Sequence, residues 1–497
     1  MDFKSWYDLG QTGIICYTSA VSSIFLEKLI MIEIKKQSLS ETLSLYFEKK
    51  MARIFLLGII QGFPFVLIYS ALSLWLRDND FSRSQVGFLS LIGIVYGFNW
   101  LWAPLVDRIR IPWLSNKIGH RRSWIIIMQS IIFSSLIVWG FSDPKENIWI
   151  VGFVGLIIAI SSATQDIVTD ALRIEQIKKT DDSSMSAGAG VMVIGWYTGF
   201  KLGQVITFLT ADYFEKLGYE NYWQITFLLL TMLIIICNIG LMFVAEKDSL
   251  ERKIQQQKND EIILSKLGMS DTFNRKIVWL AGTITGPFIS FFKSKGTKIG
   301  VYIIIFLFLF KIGEAFLGKM SMVFYDDMGF SKKQIAIYSG GYGWIITVCF
   351  TLIGSFFAIR SGLIKAIIIA GLLMASTNLL FSALAWYGNS EFLFATAIIL
   401  DQITESISTV VFVAFVSVLV DRTYTASHYA LLASLATFGK NIFSSFSGFV
   451  VDKLQFLNTA QNLHNDWAIF FIITSLMVIP SLVFLWMIKD KLNLNEK

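Results

Sequence analysis

An all-α membrane protein with twelve transmembrane helices in two six-helix halves is what the sequence predicts, on three observations. The 497-residue chain is 55% hydrophobic and only 16% charged, where a soluble domain carries about a quarter charged residues. Apolar runs long enough to cross a hydrocarbon core of about 30 Å recur along it. Basic residues alternate from one set of connections to the other, as cytoplasmic and outer loops do. The composition excludes a disordered chain, a coiled coil and a disulfide-stapled module. The runs are too long and too uniformly apolar for barrel strands, which are about ten residues of alternating polarity. The 43 Phe and 15 Trp suit a chain whose solvent is lipid and whose helix ends are anchored by aromatics.

The runs lie near 51–76, 84–106, 122–141, 147–171, 186–211 and 222–245, and after a charged interval near 299–324, 334–358, 362–386, 391–419, 425–451 and 467–488. An N-terminus inside the cell puts 107–122 (Arg108, Arg110, Lys117, Arg121, Arg122), 172–185 (Arg173, Lys178, Lys179) and the basic central stretch on the cytoplasmic side. The opposite connections are short and lean acidic, with Asp143 and Glu146 around Lys145 and Asp212, Glu215 and Glu220 around Lys216. The tail, 489–497, returns to the cytoplasm. The net charge of +6 is therefore read as topology and lipid-headgroup contact, not as nucleic-acid binding.

Five segments follow. Residues 1–50 form an N-terminal extension, cytoplasmic or interfacial, with a moderately apolar stretch from Gly13 to Ile34. Residues 51–245 form the first six-helix half. Residues 246–298 are a linker: polar from Glu251 to Asp260, then an apolar segment, Val278 to Phe292, broken by Gly282, Gly286 and Pro287 and expected to lie along the membrane surface. Residues 299–488 form the second half, and 489–497 the tail.

Cys16, Cys237 and Cys349 are scattered, and His120, His428 and His464 sit in or beside polar connections. No zinc spacing, disulfide framework, nucleophile–base pair or phosphate-binding glycine loop occurs. No cofactor, metal or enzymatic activity is expected, and the chain is expected to act as a monomer.

Two six-helix halves on a long cytoplasmic linker describe the major facilitator architecture, whose solute site lies between the halves near mid-membrane. Ionisable groups inside the spans decide whether such a site exists, because each costs about 2.5–3.5 kcal/mol at the bilayer centre. Span four carries Gln165, Asp166 and Asp170, the two carboxylates four apart on one helical face. Span five carries Lys201. Span seven carries Lys311 and Glu314, spaced to pair. Span ten carries Asp401 and Glu405, and span eleven Lys440. These nine residues are the candidates for solute binding or proton coupling. Six of them also have a plainer reading: Asp170 as a cap at the helix end, Lys311–Glu314 as a structural ion pair, Asp401 as a rim residue facing water, Lys201 and Lys440 as snorkelling lysines. Gly58 and Gly62 in span one, and Gly188, Gly190, Gly195, Gly199 and Gly203 in span five, serve either movement or close packing. Pro64 can kink span one.

At these same residues the sequence resembles the AmpG-type muropeptide permeases. GFLSLIGIVYGFNWLWAPLVDRI (87–109) with GHRRSW (119–124), SSATQDIVTDA (161–171), FKIGEAF (310–316) and FVAFVSVLVDRTYTASHYALLASL (412–435) are similar to that family's motifs, and the match runs from Met51 to Trp486. The acetyl-CoA transporters share this branch of the superfamily. The resemblance implies a proton-driven secondary transporter of the bacterial inner membrane that imports N-acetylglucosaminyl-anhydromuramyl peptides from cell-wall turnover. A nucleotide-bearing anion such as acetyl-CoA is the alternative solute, and a non-transporting sensor or scaffold the alternative role. Asp107, Arg108, Arg121 and Arg122 match a stretched form of the facilitator loop motif, which implies a cytoplasmic gate closed by charge pairing. The chain departs from the family pattern at Ile94, Asn99, Tyr197, Glu405 and His428, departures expected to alter an anion-reading site.

Overall fold

Helix occupies each of the twelve apolar runs in the computed structural model, which describes residues 39–81, 89, 91–178, 181–246, 254, 258, 261, 285–330, 334, 338, 343–444, 446–458, 464–489 and 492. The moderately apolar stretch 13–34, nearly all of 251–260, and 278–284 lie outside the described residues. Eight helices among those described are long and apolar enough to cross a membrane on their own. No strand occurs among the described residues.

Span one runs as Lys49–Val66, a π turn at Leu67–Ala71, and Leu72–Asp78. Pro64 lies inside its first helix, and the π turn follows. Span two is the most broken: two short helices, Val95–Phe98 and Ala103–Arg108, alternate with 3-10 turns at Leu91–Ile94 and Asn99–Leu101. Spans three to six are continuous, as His120–Gly140, Ile148–Glu175, Asp182–Lys216 and Tyr222–Met242. Span seven breaks at Lys311, between Thr297–Phe310 and Ile312–Asp327. Spans eight to ten are Gly343–Ser361, Leu363–Tyr387 and Glu391–Leu419. Spans eleven and twelve are interrupted near Phe446 and Met477.

The glycines of spans one and five serve close approach. A Cβ on Gly58 would stand 2.6 Å from the Met192 carbonyl oxygen, one on Gly62 would strike the Trp196 carbonyl, and one on Gly195 would meet the Phe55 carbonyl at 2.5 Å. Only bare backbone lets these two helices lie so near each other.

Three apolar cores show how the halves are arranged. One joins side chains of both halves, including Met51, Ile125, Ile174 and Met185 with Phe306, Ala358, Val416 and Ala426, at the end bearing the basic loops. The other two are private. Trp75, Trp139 and Phe227 anchor the first half's core, with Trp75 and Phe227 edge-to-face at 4.8 Å. Phe324, Phe381 and Phe471 anchor the second half's. The bundle is knitted together at one end and divided into separate cores toward the other.

Two arginines depart from expectation. Arg121 and Arg173, assigned above to loops and headgroup contact, are fully buried at helix ends. Such burial is tolerable only with carboxylate partners, and both have them. The linker segment 285–295 is helical. It is docked on the connection between spans ten and eleven: Ser290 donates to Asp421 at 2.7 Å and the Pro287 carbonyl lies 2.7 Å from His428 Nε2.

Candidate functional site

Span four presents its two carboxylates to span one as the i, i+4 spacing requires. Gln61 of span one bridges them: its Nε2 donates to Asp166 and, at 3.1 Å, to Asp170. Asp170 also accepts from Arg173 Nε at 3.2 Å, and Arg173 passes on to Ser417 of the second half at 2.9 Å. The Arg173 guanidinium stands 5.4 Å from the Tyr429 ring centre, and Tyr429 lies in the field of Asp170. Gln165 turns the other way and donates to the Ile60 carbonyl at 2.8 Å. Asp170 is thus not a solvated cap. It belongs to a buried chain of polar groups that crosses between the halves.

Beside this group lies an aromatic wall. Phe65 packs on Tyr96 at 4.4 Å, Trp196 at 5.0 Å and Tyr69 at 5.3 Å between ring centres. The Tyr69 and Tyr96 hydroxyls both feel the Asp166 charge. Tyr69 is half exposed.

The second half contributes a mixed-charge group. Lys311 sits at the break in span seven, pairs with Glu314, and donates to Thr409 at 3.1 Å. Glu314, Lys311 and Lys440 surround Glu405, which is solvent-accessible. Asp401 accepts from Thr377 at 3.3 Å and lies in the field of Glu405 and Glu314, so it faces this group rather than the rim. Tyr197, from span five of the opposite half, feels both Glu405 and Glu314. Lys201 lies over the Phe200 ring at 5.7 Å, outside both groups.

At the basic-loop end, Asp107 and Arg121 meet at 2.5 Å, and Arg121 also pairs with Glu175 at 3.1 Å. Asp107 reaches into the second half. It accepts from the Ala426 N–H at 3.2 Å, the Ser427 N–H at 2.7 Å and the Ser427 hydroxyl, all at the N-terminus of span eleven. A helix N-terminus carries about half a positive charge, so a buried carboxylate suits it. The Ser186 carbonyl accepts from Ser355 at 2.7 Å, and Tyr46 donates to Ser355 at 2.8 Å. The Arg122 N–H donates to Glu246 at 3.0 Å, as does that of Arg121 at 2.9 Å. Burial pushes the Glu246 carboxyl above its usual range, with those two N–H groups pulling back. Arg108 keeps contacts of its own.

The departures from the family pattern sort by position. His428 lies at the sealed end, where its Nδ1 accepts from the Asp421 N–H at 3.1 Å and its Nε2 faces Pro287, so this change bears on linker docking and not on the solute region as expected. Burial raises the neighbouring Asp421 carboxyl, but Thr423, Ser290 and His428 outweigh it and hold the group below the usual carboxylate range. Asn99 accepts from Ser434 of the other half at 2.9 Å. Ile94 is exposed. Tyr197 and Glu405 alone stand at the mid-bundle groups. Sequence reasoning missed Gln61, Tyr429, and the acids Glu175 and Glu246 hidden among basic loops. A glutamine inside an otherwise apolar run was the signal for Gln61.

Comparison with solved structures decides the architecture. A structure of the transporter FucP in the outward conformation superposes with a TM-score of 0.60 over 88% of this chain and 99% of that one, at 12% identity. The proton:xylose symporter XylE gives 0.57 over 89% and 96%, at 16% identity. This chain has the major facilitator fold. Within it, the resemblance to AmpG-type permeases holds along nearly the whole length. A Rickettsia conorii protein named as transporter AmpG 4 is 28% identical over 90% of this chain and 99% of its own. The anhydromuropeptide permease of Escherichia coli K12 is 24% identical over 91% and 82%. Residues 51–151 match the family described as acetyl-coenzyme A transporter 1. The reading of this facilitator as a multi-pass secondary transporter is thereby borne out.

Proposed function

We propose that this chain imports anhydro-muropeptides, driven by protons, across a bacterial inner membrane with both termini in the cytoplasm. The observation that carries the reading is the pairing of an acidic group beside an aromatic wall on one half with a mixed-charge group on the other. A muropeptide joins apolar sugar faces to a peptide with both signs of charge. Sugar C–H faces stack on the Phe65–Tyr69–Tyr96–Trp196 wall, while Lys311, Lys440 and the carboxylates of spans seven and ten hold the peptide's ends. In this conformer the basic-loop end is shut, so solute enters from the far side. Closing over it and breaking the Asp107 contacts would release it inward.

The match of residues 51–151 to an acetyl-CoA transporter family favours a second solute, a nucleotide-bearing anion. Uptake of tritiated N-acetylglucosaminyl-anhydromuramyl tripeptide into energised vesicles distinguishes the two: it should be saturable, abolished by a protonophore and indifferent to excess acetyl-CoA. Asp166→Asn and Glu314→Gln should each reduce uptake at least tenfold without loss of protein from the membrane. A sensor or scaffold would tolerate both.

A further inference from the structure

Span one is interrupted where it passes the acidic pair. Pro64 has no N–H to give, which strands the carbonyl of Ile60 one turn earlier. Gln165 of span four takes that place with its Nε2, 2.8 Å from the Ile60 oxygen. The next residue along, Gln61, reaches in the opposite direction, from span one to Asp166 and Asp170. Two amides therefore staple the helices together in opposite senses within a turn of the break. Just beyond, the helix widens into the π turn that carries Tyr69, and such turns inside α-helices recur at functional sites.

An amide NH2 carries two donor hydrogens and does not titrate. Two hydrogens match two carboxylate acceptors, and Nε2 contacts an oxygen of each here. The amide's other end is unmatched: Gln61 Oε1 is buried without a hydrogen-bond partner. A proton arriving on a carboxyl of this pair creates the donor which that oxygen lacks. Arg173 is bonded to Asp170, which leaves Asp166 as the carboxyl that takes it. The other titratable groups facing the pair are Tyr69 of span one, Tyr96 of span two and Tyr429 of span eleven.

We infer that Gln61 is the positioning residue that reads the protonation of Asp166 and passes it to span one, by turning its amide from donor to the ionised pair into acceptor from the protonated carboxyl. The proton comes from the open side onto an Asp166 oxygen. The Gln61 NH2 then gives up its bond to Asp166, and the staple at Ile60–Gln61 loosens. The part of span one beyond Pro64 is released to move against span four.

This inference rests on the proton-coupled reading, and the experiment separates the two. Uptake and counterflow of the tritiated tripeptide are measured in vesicles across external pH 5.5–8 for wild type, Gln61→Met and Gln61→Asn. Methionine keeps the volume and removes the amide. Asparagine keeps the amide one methylene short. Gln61→Met should retain counterflow within about threefold of wild type, fail to concentrate solute above the external level, and show a flat pH profile. Gln61→Asn should fall between. Accumulation by Gln61→Met as steep as that of wild type, or loss of its counterflow together with accumulation, would overturn the assignment while leaving proton coupling in place. Wild-type uptake indifferent to pH and protonophore would overturn the coupling reading, and this inference with it.

Discussion

Asp107 ties the two halves together more directly than any bulk feature of the fold. It is buried against Arg121 and against the first N–H groups of span eleven, so one carboxylate serves an ion pair in its own half and a helix terminus in the other. Removing one partner from a buried ion pair costs about 3–5 kcal/mol, because the remaining charge has lost its compensation. Asp107→Asn keeps the side chain's shape and leaves Arg121 its bond to Glu175. The expected loss is therefore about 3 kcal/mol, at the lower end of that range. It should fall on the sealed conformer. Spin labels on the 2–3 and 10–11 connections should report a broader and longer distance distribution in the variant than in wild type, and thermal unfolding in detergent should start lower.

Spans one and five meet along a seam of glycines. Gly62→Ala would push a methyl group into the Trp196 carbonyl, a backbone atom with no room to yield. Overpacking of this kind costs about 1–3 kcal/mol, and the separation of the helices should lower the melting temperature measurably. Gly97→Ala in span two, where a Cβ would meet nothing within 4 Å, is the matched control and should leave melting unchanged. At this level the sequence was highly legible. Length and hydropathy located the spans because a bilayer imposes both, and the i, i+4 and i, i+3 spacings placed Asp166 with Asp170 and Lys311 with Glu314. What stayed hidden depends on contacts between distant segments. Gln61 lies 105 residues from Asp166, and nothing local says that its amide bridges two carboxylates. Arg121 and Arg173 look like any loop arginine until Glu175 and Asp170 are seen beside them. His428 reads as a departure that alters a solute-reading site until its linker partner, Pro287, 141 residues away, is seen beside it.

The molecule as a whole is one object at the basic-loop end and two at the other, and alternating access requires that this be reversible. Asn99 and Ser434 lie on opposite halves within 2.9 Å of each other. In a cysteine-free background, Asn99→Cys with Ser434→Cys should therefore be joined by a short bis-methanethiosulfonate cross-linker, each thiol displacing methanesulfinate to form a disulfide. Uptake should stop on cross-linking and return on reduction. Each single variant treated alike should keep transporting.

The shared apolar core at the sealed end has a thermal consequence. Water must wet those side chains each time that end parts, and wetting apolar surface raises heat capacity. The opposition to parting is hydrophobic in origin and weakens as temperature falls. Cold thus eases the opening of that end, and warmth holds it shut.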